Sequence, residues 1–380
     1  MASGDERRPR RGRRLGIVGL AIVVVLVTAT GVGAWFGSDQ SVGVVHYGTG
    51  NTEVLAVQGD LVTLTGTPES GKPGTYWLEW SGSYAMLGDV VSRAPGRVTR
   101  KVLRGSTPSV GAPGYFGNVP PGDPEVAWGI GYTEIMVPTE LGPAPAWHVP
   151  GKGATWVVAV HGQNGRRKAE LKILPVVHRL ELPFLDVSYR NDEGAPSSPD
   201  GLLHLGDSEW RDLEAALRQA QTMGARRFIL FGTSMGGQII GQFLGRSPLA
   251  GLVDRVIMDA PMIDVRMTAE QGARNHHLPA FLAGVSNQVV QWRTGVDLDR
   301  LSLIRHPPEV RPPLLLIHTV PDTEHPIQEA YGLVATGKRL GWEIQFEPFG
   351  QGEHTEAWNV DRARYDRLVS GFLSHNGSQR

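Results

Sequence analysis

One serine in this chain stands where a serine can be made reactive. The apolar run Arg227-Phe228-Ile229-Leu230-Phe231 breaks into Gly232-Thr233-Ser234-Met235-Gly236-Gly237, and a helix-compatible stretch follows at once. A strand turning sharply into a helix forces the turn residue into a strained backbone and lifts its side chain clear of the sheet. Gly232 and Gly236 let neighbouring backbone approach that turn without a Cβ clash. Ser234 Oγ is thereby presented as a nucleophile, with the N-terminus of the next helix beside a developing oxyanion. In a chain with 49 glycines, Gly-x-Ser-x-Gly alone is a weak signal. Its weight comes from the strand before it, the helix after it and partners downstream in a workable order.

A serine hydroxyl needs a base at neutral pH. His354, in Gly350-Gln-Gly-Glu-His354-Thr, follows the last apolar run and precedes the terminal helix, so a Gly-rich turn can swing its imidazole toward Ser234. Asp322, just after Pro313-Leu-Leu-Leu-Ile-His-Thr-Val-Pro, is the expected third member, accepting Nδ1–H and stabilising the imidazolium. Asp259 and Asp264, after the preceding strand, are the alternative acids. The oxyanion donors expected are the backbone N–H groups of Met235, at the helix start, and Gln163, in Val160-His161-Gly162-Gln163-Asn164-Gly165. His161 is read as shaping that loop, His318 and His325 as shaping the loop of Asp322, and His276-His277 as exposed polar surface. The chemistry calls for no cofactor and no metal.

Elements must hold these residues. Apolar runs at Thr155–Val160, Pro183–Val187, Arg227–Phe231, Arg255–Met258, Pro313–His318 and Glu343–Phe346 alternate with helical patterns, which argues for an α/β fold with a mostly parallel central sheet covered on both faces. Tyr132–Val137 and Ala144–Val149 suggest an antiparallel pair ahead of it. Trp210, Leu213, Leu217 and Ala220 share a helix face for which Asp207 is the expected N-cap. The insertion at 265–310 is the natural helical cap over the site. Residues 37–128 are dense in Gly, Pro, Thr and Ser with short strand runs and read as a small β-rich region, its aromatics Trp77, Trp80 and Tyr84 as core, and 106–124 as a loop.

On these motifs the chain resembles the α/β-hydrolase superfamily over residues 131–376: His161-Gly162 after a strand, Gly232-Thr-Ser234-Met-Gly236, Asp322 and Gly352-Glu-His354, in the order Ser, Asp, His. Ser188-Tyr189-Arg190-Asn191 before a Gly/Pro/Ser loop and a helix also resembles prolyl-oligopeptidase-type catalytic domains. Nothing in 37–128 resembles the repeated propeller of those peptidases.

The N-terminus carries a separate signal. Arg7, Arg8, Arg10, Arg11, Arg13 and Arg14 precede an uncharged run over 15–36. As a helix, that run would reach about 33 Å, enough to cross a bilayer core. The expectation is a basic cytoplasmic tail (1–14), one transmembrane helix (15–36) with Trp35-Phe36 at the far interface, and the catalytic region outside the cytoplasm. The alternative is secretion after cleavage at Val32-Gly33-Ala34. A net charge of −1 gives no electrostatic case for nucleic acid, and without cysteine there are no disulfides or thiolate sites.

The sequence reading is therefore a membrane-anchored serine hydrolase of small-molecule or lipid carboxylic esters, working through an acyl-enzyme on Ser234. An acyltransferase or peptidase on the same residues, or a non-catalytic envelope binding protein of the same fold, is the alternative.

Overall fold

A computed structural model describes residue 28 and residues 30–45 and 50–374. Most of the apolar run 15–36, and all of the basic flank 1–14, lie outside the described residues. The end of the run enters helix α1 (30–42), and among the described residues no helix is long and apolar enough to cross a membrane.

The β-rich region is a closed six-stranded barrel, ordered β1-β2-β5-β4-β3-β6 with β6 returning to β1. Its strands are β1 (Thr52–Gln58), β2 (Leu61–Thr65), β3 (Tyr76–Trp80), β4 (Ser83–Ala94), β5 (Arg97–Gly105) and β6 (Pro113–Gly117). The two-residue turn Ser81-Gly82 has positive φ at both positions (41° and 76°), the geometry whose twist matches the strands of a hairpin. Val54, Val62, Leu64, Leu78, Leu87 and Phe116 point inward and fill it. The stretch 106–124, expected as a loop, contributes β6. The signal is weak because Pro113, Gly114 and Gly117 are poor strand formers, yet Pro113 sits first in the strand, where a missing N–H costs least. Helix α2 (Pro124–Trp128), capped by the Asp123 carboxylate, leads out of the barrel.

The second sheet has eight strands in the order β14-β13-β12-β11-β9-β10-β8-β7. The hairpin β7 (Thr133–Thr139) and β8 (Gly142–Val149) is antiparallel and adds to one edge. β9 (Thr155–Val160), β10 (Phe184–Val187), β11 (Arg227–Thr233), β12 (Val253–Asp259), β13 (Leu314–Thr319) and β14 (Ile344–Phe349) are parallel. Alternate residues of each parallel strand feed different layers. Val158, Val160 and Leu230 pack with α4 (Trp210–Thr222) and α5 (Met235–Arg246), while Val157, Ala159 and Phe231 pack with α3 (Leu174–Arg179) and the C-terminal helix. The insertion folds as α6 (Val265–Asn275) and α7 (Ala280–Thr294), and the chain closes with α8 (Ile327–Leu340), α9 (Ala357–Val360) and α10 (Arg362–Ser374).

Asp207 is not the cap of α4. Its carboxylate binds Arg246 and Arg300, while the buried Glu209 accepts the N–H groups of His204 and Gly206 and organises the turn instead. The charge partners lie far along the chain, so local spacing could not reveal them.

Under the sheet's catalytic end, Lys172 Nζ sits 2.5 Å from Asp259 Oδ2, which also accepts from Tyr365 at 2.9 Å. Both charges are buried. Removing one partner strands the other in a low-dielectric core. Lys172→Met is expected to destabilise the fold by about 3–5 kcal/mol, read as a fall in the chemical-denaturation midpoint.

Candidate active site

Ser234 occupies the bend between β11 and α5 with φ 55° and ψ −123°, a region that L residues avoid. Three backbone hydrogen bonds hold that strain. Ser234 N–H donates to Asp259 O at 3.0 Å, and Ser234 O accepts from Gly237 N–H at 3.0 Å and Met262 N–H at 3.1 Å. The flanking glycines are required by contact. A Cβ on Gly236 would strike the Val160 carbonyl, and one on Gly162 would lie 2.8 Å from Ser234 Cβ.

Ser234 Oγ is 2.9 Å from His354 Nε2, and His354 Nδ1 is 2.8 Å from Asp322 Oδ2. The two residues are brought in by different loops, after β13 and after β14. Asp322 Oδ1 accepts the N–H groups of Glu324 and His325, both at 2.8 Å, which aims Oδ2 at the imidazole. Burial works against the Asp322 charge, but the His354 hydrogen bond and nearby imidazoles prevail and hold its pKa at about 2. Burial likewise opposes a charge on His354, and Asp322 with Glu324 reverses this, so its pKa lies above the ordinary histidine value. Asp259 and Asp264 are engaged elsewhere: Asp259 with Lys172 and Tyr365, Asp264 as the N-cap of α6 and partner of Ser302 and Arg305.

The loop carrying Gln163 is held by a set of internal hydrogen bonds. His161 donates from Nδ1 to Gly162 O at 2.9 Å, meets Asp192 through Nε2 at 2.8 Å, and stacks on Tyr189, whose hydroxyl also donates to Gly162 O. Burial opposes a charge on His161 and Asp192 overrides it, so its pKa is raised and both ring nitrogens can donate. The Gln163 side chain binds the carbonyls of Gln40 and Ser41, and Asn164 binds Gly43 O and Val45 N–H. Among the described residues, neither the Gln163 nor the Met235 backbone N–H donates to a protein acceptor, which leaves both for an incoming oxygen.

Sequence reasoning missed what braces the histidine loop. The barrel does so through Lys72–Glu356 at 2.8 Å, Asn118 Nδ2–Thr355 Oγ1 at 3.1 Å and the exchange between Thr75 and Asn359. Arg100, buried in the barrel over Tyr76 and Phe116, donates to the carbonyls of Ser70, Lys72, Gly74 and Gly88 and so fixes the loop bearing Lys72. Trp77, expected as core, is buried at the junction of the two parts, edge-on to Trp128, which in turn meets Trp358. A cleft of about 320 Å³ remains between the two parts, lined by Asn51, Lys72, Tyr115, Thr323, Glu353 and His354. The contacts of Lys72, Asn118 and Thr75 with the histidine loop span more than two hundred residues, and no motif announces them.

The architecture and the Ser–His–Asp geometry bear directly on comparison with known proteins. Residues 200–377 match the prolyl oligopeptidase family, and residues 53–117 match a domain of unknown function (DUF8805). The chain belongs to the α/β-hydrolase superfamily. The hydrolase shares its fold with an esterase from Pyrococcus furiosus, at 18% identity and TM-score 0.55 over 67% of this chain and 96% of that one. An acylaminoacyl peptidase from Pyrococcus horikoshii aligns at 13% identity and TM-score 0.55, covering 89% of this chain and 58% of that one. A search of curated proteins finds no match to the sequence. The hydrolase is thus a serine hydrolase, of a kind that includes both esterases and peptidases.

Proposed function

We propose that this hydrolase cleaves carboxylic esters through an acyl-enzyme on Ser234. The observation that carries the reading is the unbroken line from Ser234 Oγ to His354 at 2.9 Å and on to Asp322 at 2.8 Å. Ser234 attacks the ester carbonyl while His354 Nε2 takes its proton and passes it to the departing alcohol. His354 then activates water to release the acid, with Asp322 holding the imidazole and Met235 and Gln163 N–H groups receiving the oxyanion.

His354 must be neutral to act as base, and its pKa is raised. Activity is therefore absent in acid and appears only as pH climbs past a midpoint above about 6.5, the ordinary histidine value. A profile of kcat/KM against pH with a soluble ester checks this; a midpoint well below that value would contradict it.

The proposal includes a membrane anchor at 15–36. What supports it is the uncharged run behind six arginines, together with an apolar face where the run ends. There Trp35 meets Trp292 of α7 at 6.4 Å, and Phe36 (64%), Phe281 (62%) and Trp292 (75%) are exposed. Phe281 and Trp292 lie on one face of α7 by helical spacing. Such a face suits a bilayer surface and lipid esters. The prolyl-oligopeptidase match supports a second reading, peptidase activity in the cleft beside His354. Parallel assays with p-nitrophenyl esters and N-acyl-aminoacyl p-nitroanilides separate them. Ester turnover without anilide turnover is the expected result, and the reverse would favour the peptidase.

A further inference from the structure

His354 is not the only imidazole on the nucleophile. His325 Nε2 lies 3.3 Å from Ser234 Oγ, and its ring stands edge-on to His354 with centroids 4.6 Å apart. His325 Nδ1 is 2.9 Å from Thr268 Oγ1 on the cap helix α6, and Thr268 Oγ1 is 2.9 Å from Glu329 Oε1 on α8. Glu329 Oε2 accepts the N–H groups of Ile263 and Asp264 at 2.8 and 2.9 Å. His325 and Glu329 are both buried.

The protons in this chain can be placed. A serine hydroxyl has one proton and two acceptor lone pairs. Because Asp322 fixes the proton of His354 on Nδ1, the Ser234 proton goes to His354 Nε2. Ser234 Oγ can then meet a second imidazole only by accepting from it, so His325 carries its proton on Nε2. Nδ1 then accepts from the Thr268 hydroxyl. That hydroxyl, its one proton committed there, meets Glu329 Oε1 as an acceptor when Glu329 is protonated, whereas to an ionised Glu329 it donates instead.

We propose that His325 is a second histidine of the catalytic centre, donating from Nε2 to Ser234 Oγ with its tautomer set through Thr268 by the Glu329 carboxylic acid. The inference rests on Ser234 being the nucleophile. His325 neither takes nor gives a proton in the reaction. The Ser234 proton passes to His354 and on to the leaving group, while the His325 N–H stabilises the negative charge that gathers on Oγ. When the acyl-enzyme breaks, that charge returns to Oγ and meets the same donor.

The surroundings fit these protonation states. Burial pushes Glu329 up to about 8, its hydrogen bonds only partly offsetting this, so it holds its proton at neutral pH. Burial and then His354 keep His325 well below the ordinary histidine range, hence neutral. The titratable and charged groups facing this chain are Asp264, with Arg305 upon it, from the start of α6 and the 301–305 loop, Asp322 and His354 from the catalytic loops, and His318 from β13. His318 donates from Nε2 to the His325 carbonyl and braces that loop.

The test is the pH dependence of ester kcat/KM between pH 6 and 10, in the full-length chain. It compares wild type with His325→Leu, His325→Gln, Thr268→Val, Glu329→Gln and Ser234→Ala, each checked for folding by its melting temperature. His325→Leu is expected to lower kcat about 10- to 100-fold with little change in KM, and His325→Gln, which keeps an N–H, to recover part of it. Wild-type activity falls above about pH 8, where Glu329 ionises and turns the Thr268 hydroxyl toward itself. Glu329→Gln, whose amide replaces the acid's donor, abolishes that fall. If His325→Leu does not fold, Thr268→Val and Glu329→Gln still decide the matter: Thr268→Val lowers kcat by about fivefold or more. Full activity in a folded His325→Leu, or an alkaline fall that survives in Glu329→Gln, would overturn the inference. Activity retained in Ser234→Ala would sink the serine reading itself, whereas loss there with His325→Leu unaffected would sink only the second histidine.

Discussion

Ser234→Ala is expected to lower kcat by about a million-fold while leaving the protein folded. The size follows from the site. Ser234 Oγ is the atom on which His354, and in our proposal His325, converge, so its loss removes the covalent route at a stroke. The backbone is held independently, by the bonds to Asp259, Met262 and Gly237, and alanine keeps the Cβ that Gly162 is shaped to receive. The oxyanion donors survive, so activity falls to the residual level that binding and electrostatics alone support, still about 10³-fold above water. Active-site titration beside a melting curve separates this from unfolding.

Asp322→Asn is expected to cost about 10⁴-fold in kcat, through the wrong tautomer of His354. The amide orientation is dictated by its neighbours. Glu324 and His325 N–H groups point at Oδ1, so the carbonyl oxygen must stay there and the NH₂ must take the place of Oδ2. That NH₂ faces His354 Nδ1, which then has to accept, and the ring proton moves to Nε2, where it can no longer receive the Ser234 proton. The substitution also removes the carboxylate that raises the His354 pKa, so the acid limb of the residual activity moves to lower pH. A profile of kcat against pH shows both effects; a loss of less than tenfold would mean Asp322 is not what orients the base.

Much of this centre could be read along the chain because its physics is local. The elbow needs glycines at fixed offsets from a serine, and parallel strands buried on both faces announce themselves as apolar runs. Thr155–Val160 is a strand over those same residues, and Arg227–Phe231 merely extends to Thr233. Ser234, His354 and Asp322 stand where strand ends must place them. The rest depends on contacts between distant segments. Nothing near Asp322 reveals that His325, three residues on, turns back to the nucleophile, because that depends on Thr268 and Glu329 arriving from two other helices. Lys72 gives no hint that it braces the His354 loop through Glu356, 284 residues away, and Asp207 gives none that it belongs to Arg246. Strand β6 was hidden for a different reason: its residues have little strand preference and are held by closure of the barrel.

Activation of Ser234 is read by labelling the full-length chain with a fluorophosphonate, wild type beside Ser234→Ala and His354→Ala. A stoichiometric adduct on Ser234 is expected in the wild type and none in either variant at matched time. Absence of labelling in folded wild type, or labelling that persists in Ser234→Ala, would contradict an activated Ser234.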